Sequence, residues 1–178
     1  MTAMERGAMS EHPDDSEHGR DGADRYLTFR LGGEEYGVEI LRVQSIQVWE
    51  DATPIPNSPP WMLGVTNLRG AIVPIVDLRR RFDLADWSFG PTTVVIVVRI
   101  GADADEGERV IGMVVDGVSE VRALHPDAVQ PAPEFAGSLD VRFVRGLTSV
   151  DDRMLILLDV DQLLRDSLQI DLDADAAA

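Results

Sequence analysis

The chain has 178 residues and a mass of 19.5 kDa, and 44% of it is hydrophobic, which suits one ordinary domain or two very small ones with a real core. It carries 16 Arg, no Lys and no Cys against 32 acids, a net charge of −16. That balance excludes a disulfide scaffold, a thiolate metal site, Schiff-base chemistry and general binding to a nucleic-acid backbone.

Residues 1–24 hold seven acids and two Arg and are poor in aromatics and large apolar residues, so they read as a disordered acidic tail. They also lack the basic and apolar regions of a signal peptide, and no apolar run reaches the ~18 residues of a membrane span. The cytoplasm is therefore the expected compartment, without direct membrane insertion. Strand patterns follow at Tyr26–Leu31 and Tyr36–Ile40 around Gly32-Gly33, then at Val43–Val48. Met62–Asn67 and Ala71–Asp77 flank a turn at Arg69-Gly70. Pro74 interrupts the second of these, which places it at an edge or a bulge. Arg79-Arg80-Arg81 reads as a solvated helix end. Thr93–Ile100, Arg109–Val115, Val118–Leu124, Val141–Leu147 and Met154–Asp159 complete ten candidates. The acidic stretch Ala102–Glu108 reads as a long solvated hairpin loop. Residues 161–178 hold five acids and one Arg, and 166–178 reads as a second acidic tail.

The ten candidates form two sets of five. Gly37 aligns with Gly112, Val43 with Val118 and Ile46 with Val121, each 75 residues on; Ile72 aligns with Met154, Ile75 with Leu157 and Asp77 with Asp159, each 82 residues on. Each Asp can cap a short helix. The expected fold is all-β: two five-stranded barrels related by duplication, 25–92 and 93–165, with short helices at the barrel ends. Each half is marginal alone, so the two should share an apolar interface.

Reactive chemistry is absent from the pattern. His125, followed by Pro126-Asp127, reads as a turn, and no nucleophile or metal partner accompanies it. Gly32-Gly33 joins two strands rather than opening a phosphate-binding helix. The motif Asp171-Leu-Asp-Ala-Asp175 lacks the Gly and Glu of a calcium loop. No catalytic residue, cofactor or metal is assigned. Phe135, in Pro131-Ala-Pro-Glu-Phe135, stands on a loop stiffened by proline, as an interface anchor or as a cap on the barrel end.

Five strings, in order, resemble the CheW family of chemotaxis coupling proteins: Glu35-Tyr-Gly-Val-Glu-Ile40, Gly64-Val-Thr-Asn-Leu-Arg-Gly70, Ile72-Val-Pro-Ile-Val-Asp-Leu78, Gly112-Met-Val-Val-Asp-Gly-Val118 and Pro131-Ala-Pro-Glu-Phe135. The resemblance runs from about Tyr26 to Leu164. It implies two SH3-like barrels about a pseudo-twofold axis and a scaffold that is no enzyme. It implies as partners the helical cytoplasmic tips of methyl-accepting chemoreceptors and the regulatory domain of the histidine kinase CheA. It places receptor binding at Arg69, Val43, Gly64, Val94 and Val121, and kinase binding at Glu134 and Phe135. Spacing alone leaves Val43 and Val121 as core. Ser45 stands where some relatives have an acid beside the groove. An adaptor for a CheA-like kinase in a non-flagellar pathway, or a ligand-binding barrel, are the alternative readings.

Overall fold

The computed structural model describes residues 22–85, 87–101, 107–133 and 139–176, with side chains as far as residue 168. The tail predicted at 1–24 and the acidic loop predicted at Ala102–Glu108 lie largely outside the described residues. The ten strands are β1 (Asp24–Leu31), β2 (Glu34–Glu39), β3 (Val43–Val48), β4 (Met62–Leu68), β5 (Ala71–Asp77), β6 (Val94–Ile100), β7 (Arg109–Val115), β8 (Gly117–Leu124), β9 (Val144–Val150) and β10 (Arg153–Leu158). Helix α1 is Leu78–Arg81 and α2 is Val160–Ala176. Residues 141–143, expected to begin a strand, form a single 3-10 turn capped by Asp140, whose carboxylate accepts from the Arg142 amide.

Two five-stranded sheets result, in the orders β8-β1-β2-β10-β9 and β3-β6-β7-β5-β4. Shifting each strand number by five turns one order into the other, so the internal repeat is a structural one. Ile46 and Val121 occupy equivalent places, opposite Ile96 and Leu27. The split into barrels 25–92 and 93–165 needs correction, because each sheet takes the first hairpin of one half and the last three strands of the other. The exchange happens at two parallel pairings, Gly37 beside Leu157 and Gly112 beside Ile75. A Cβ at Gly112 would stand 2.6 Å from Ile75 Cδ1, and one at Gly37 2.9 Å from Leu157 Cδ2, so both strand crossings are built on glycine. Each sheet curls until the chain leaving its first edge strand bridges its other edge strand, at Thr53–Val65 and Gln130–Leu147. Pro74 sits in an interior strand, one residue before the ladder to β7 begins at Ile75.

Three apolar clusters follow from the strands' two faces. Val73, Ile75, Val95, Val97 and Val114 line the inside of one curled sheet, and Tyr26, Leu124, Leu155 and Leu157 the inside of the other. The largest cluster joins the two, with Phe29, Leu31 and Val38 from one sheet and Ile96, Val98 and Met113 from the other. That is the shared interface expected of two halves too small to stand alone.

The segment assigned to an acidic tail at 166–178 is instead the continuation of α2. Asp159 Oδ1 accepts from the Gln162 amide at its start, and Val160, Leu163, Leu164 and Ser167 are buried at helical spacing. The acidic composition masked that one-sided stripe. Ser167 Oγ donates to the Leu163 carbonyl at 2.7 Å and accepts from Arg81 Nε at 3.0 Å. Arg81 also holds Asp166 at 2.6 Å, and its guanidinium lies 4.9 Å from the Trp61 ring and 5.1 Å from Phe143. Trp61 and Phe143 are equivalents in the repeat: their carbonyls accept from the Asp77 and Asp159 amides, both at 2.8 Å. Arg81 thus fastens α1 to α2 at the centre of the duplication. Ser167→Ala is expected to lower stability by about 1 kcal/mol in a urea titration, since the guanidinium loses an acceptor in a buried place; an unchanged midpoint would mean that α2 is not held there.

Arg79 corrects the expectation of a solvated helix end most sharply. Both it and Asp77 are 0% exposed. Asp77 caps α1 by accepting from the Arg79 amide, and the same carboxylate takes Nε and Nη2 of Arg79 as a fork, both at 3.0 Å. Nη1 reaches the Ser88 carbonyl at 2.7 Å and Asp116 at 3.1 Å. Burial works against the Arg79 charge, but Asp77 and Asp116 outweigh it and hold the guanidinium above its ordinary value. Asp116 Oδ2 in turn accepts from the Gly32 amide at 2.9 Å, so one buried cation links α1, the β1–β2 turn and the β7–β8 turn.

Candidate functional site

Directly opposed residues in an antiparallel pair share a face. Val43, Ile46 and Val48 of β3 lie opposite Val98, Ile96 and Val94, and Val121 of β8 lies opposite Leu27. Ile96, Val98 and Leu27 belong to the shared core, and Val43 and Val94 pack on its margin. β3 and β8 are edge strands, so the outer members of this face reach water: Ile46 is 45% exposed, Val48 75% and Val121 50%. An apolar strip on each edge strand therefore continues the core onto the surface. Ile46 and Val48 were not among the sequence-derived site residues; the signal was the alternation of β3, in which the polar Ser45 and Gln47 turn toward Val97 and Val95 inside the curled sheet. Ser45 thus faces away from the strip.

Arg69 stands elsewhere on the second sheet. The register from Leu68 to Ala71 leaves a two-residue turn, with φ of 52° at Arg69 and 88° at Gly70. Asn67 Oδ1 accepts from the Gly70 amide at 2.8 Å and steadies it. The Arg69 side chain is exposed and has no ion-pair or hydrogen-bond partner among the described residues. The equivalent turn, Asp151-Asp152, has the same left-handed backbone but pairs its charge, Asp151 with Arg122 at 2.8 Å. β6 and β7 separate the Arg69 hairpin from β3 within the sheet.

Gly64, grouped with the surface positions by resemblance, is buried, with φ of 139°. A Cβ there would lie 2.0 Å from the Thr53 carbonyl oxygen. Its place in the fold is to let residues 52–54 cross β4, which Thr53 and Val65 then clasp with two amide-to-carbonyl bonds of 2.9 Å. Glu134 and Phe135 lie outside the described residues. A small polar cleft at Glu39, Arg42, Arg145 and Asp161 has its charges paired internally, Arg42 with Asp161 at 2.8 Å and Arg145 with Glu39. Among the described residues, no group of three or more His, Asp or Glu is placed to hold a metal.

The family model of the CheW-like domain matches residues 25–168. The chain belongs to the CheW family. It is 48% identical over 139 residues to the chemotaxis protein CheW of Klebsiella aerogenes, covering 78% of this chain and 80% of that one. Against the chemotaxis protein CheW of Bacillus subtilis the identity is 27% over 141 residues, covering 79% and 86%. The solved structure of the scaffolding protein TtCheW from Thermoanaerobacter tengcongensis superposes with a TM-score of 0.71 at 28% identity, covering 89% of this chain and 93% of that one. The chain is accordingly a chemotaxis coupling adaptor of the CheW family, and its described surface is to be read for what it docks.

Proposed function

We propose that this CheW-family adaptor couples the helical cytoplasmic tips of chemoreceptors to the histidine kinase CheA, acting by docking alone and in the cytoplasm. The observation that carries the reading is the apolar strip that extends the shared core onto both edge strands, at Ile46 and Val121. Exposed apolar surface continuous with a core suits an amphipathic helix laid against it. Val43, Val94 and Val121 supply the floor and margins for the receptor helix. Arg69 is a free cation on a fixed turn, able to take a helix carboxylate as a two-bond fork. Glu134 and Phe135 are assigned to the kinase's regulatory domain. No helix among the described residues is long and apolar enough to cross a membrane, so attachment to receptor arrays runs through partners.

Arg69→Ala is expected to weaken binding of a chemoreceptor cytoplasmic hairpin at least about tenfold, or ~1.4 kcal/mol, while changing the unfolding free energy by only about 0.5 kcal/mol. Kinase binding should change less. Titration of both partners against one variant, with its melting curve, decides it. Unchanged receptor affinity removes Arg69 from the site, and equal losses for both partners assign it a structural role.

A further inference from the structure

The surface beyond Val48 is not accounted for by the receptor-binding residues assigned above. We infer that the C-terminal end of β3 forms one end of the receptor groove and takes an apolar side chain that has a basic residue beside it on the partner helix. This rests on the receptor-docking reading and deepens it by giving the groove a direction.

Val48 lies opposite Val94 and is 75% exposed, so the apolar strip does not stop at the assigned residues. The next residue, Trp49, is held by a bond from its amide to the Thr93 carbonyl at 3.3 Å. Its ring stacks on Phe89, centroids 4.9 Å apart at 15°, and Phe89 is itself 41% exposed. Phe89 has the edge of Trp87 at 5.8 Å and the guanidinium of Arg79 at 4.8 Å. Arg79 is the buried cation already fixed by Asp77 and Asp116. Trp49 packs against the cluster inside the curled sheet, on the face of β3 opposite Val48, so the aromatic stack braces the end of β3 from behind before any partner arrives.

Charge supplies the rest. Glu50 and Asp51 follow Trp49, are exposed, and make no ion pair among the described residues. At the rim of an apolar strip, unpaired acids favour a basic residue on the partner and repel an acidic one. β3 runs antiparallel to β6, β6 antiparallel to β7, and β7 parallel to β5. β3 and β5 thus point the same way, and the Arg69 turn, which precedes β5, lies at the end of the sheet where β3 begins. Glu50 and Asp51 lie at the other end. A helix carrying an acid at one end and a base next to its apolar contact at the other matches these charges in a single direction.

The test uses the full chain and a purified chemoreceptor cytoplasmic hairpin as probe, titrated at low and high salt. Val48→Glu is expected to weaken binding at least tenfold. The double variant Glu50→Lys, Asp51→Lys should lose at least fivefold at low salt and much less at high salt. Asp127→Lys, an exposed charge reversal on a separate 3-10 turn, should leave affinity unchanged. Val48 and both acids are at the surface, so these variants report on docking rather than on the fold. Wild-type affinity in Val48→Glu and in the double variant, with Arg69→Ala weakened, overturns this inference and leaves the receptor reading intact. A loss in Val48→Glu alone overturns the basic neighbour and the direction. A wild-type chain that does not bind the hairpin overturns the receptor reading and this inference with it.

Discussion

Arg79→Ala is expected to destabilise the fold by about 3–5 kcal/mol, the range for breaking a buried ion pair from one side. The loss is large because three acceptors depend on the same guanidinium. Asp77 keeps its bond from the backbone of α1 but is left as a carboxylate with 0% exposure, its hydrogen-bonded fork gone and Arg80 Nε at 3.8 Å its remaining counter-charge; the Ser88 carbonyl and Asp116 lose their donors. Arg79→Lys keeps a charge but cannot make the fork to Asp77 and still reach Ser88 and Asp116, so it should fall between wild type and Ala. The comparison is Arg122→Ala, whose partners Asp151 and Glu120 are exposed and screened by solvent, so its cost should be far smaller. Urea unfolding of the three variants measures all of this. An Arg79→Ala cost no larger than that of Arg122→Ala would mean that the charge is hydrated, as the run of three arginines suggests at first sight.

Gly64→Ala is expected to cost about 3 kcal/mol, from backbone strain together with the loss of hydrogen bonds between Thr53 and Val65. The three atoms nearest an added Cβ are all backbone: the Thr53 oxygen at 2.0 Å, the Thr53 carbonyl carbon at 2.5 Å and Pro54 Cα at 3.0 Å. No side chain can swing aside to make room, and at φ of 139° the residue is strained whatever the space. Residues 52–54 must therefore leave β4, opening the curl of the second sheet. Faster amide exchange at Thr53 and Val65, with a lower melting temperature, is the expected signature. Receptor binding should fall with the fold. Weak receptor binding in a variant with an unchanged melting curve would return Gly64 to the surface role that the resemblance assigns it.

The glycine and the two arginines that matter most differ in how far they could be read from the chain. Arg69 was legible because its neighbours announce a two-residue turn, and a side chain on such a turn has nowhere to go but outward. Arg79, ten residues on in a run of three, gives no local sign of burial: its partner Asp77 is read as a helix cap, but Asp116 is 37 residues away and Ser88 belongs to an irregular loop. Gly64 sits inside a family motif, which points to surface function, whereas the close approach of Thr53 is visible only once the sheet has curled. Ile46 entered the sequence reading as a repeat position and is an exposed apolar residue in the structure, because exposure on β3 depends on that strand being an edge.

Local pattern by itself determined the ten strands, the duplication at offsets of 75 and 82 residues, the Asp caps and the absence of cysteine and lysine chemistry. Those properties depend on side-chain period, turn residues and composition, which act over a few residues at a time. The tertiary structure decided which half each hairpin joins, that 166–176 is helix rather than tail, that Arg79 is buried and Gly64 enclosed, and where the core runs out onto β3 and β8. Each of these is set by pairings between residues far apart in the chain, such as Gly37 with Leu157, whose energy exists only after the loops between them have closed.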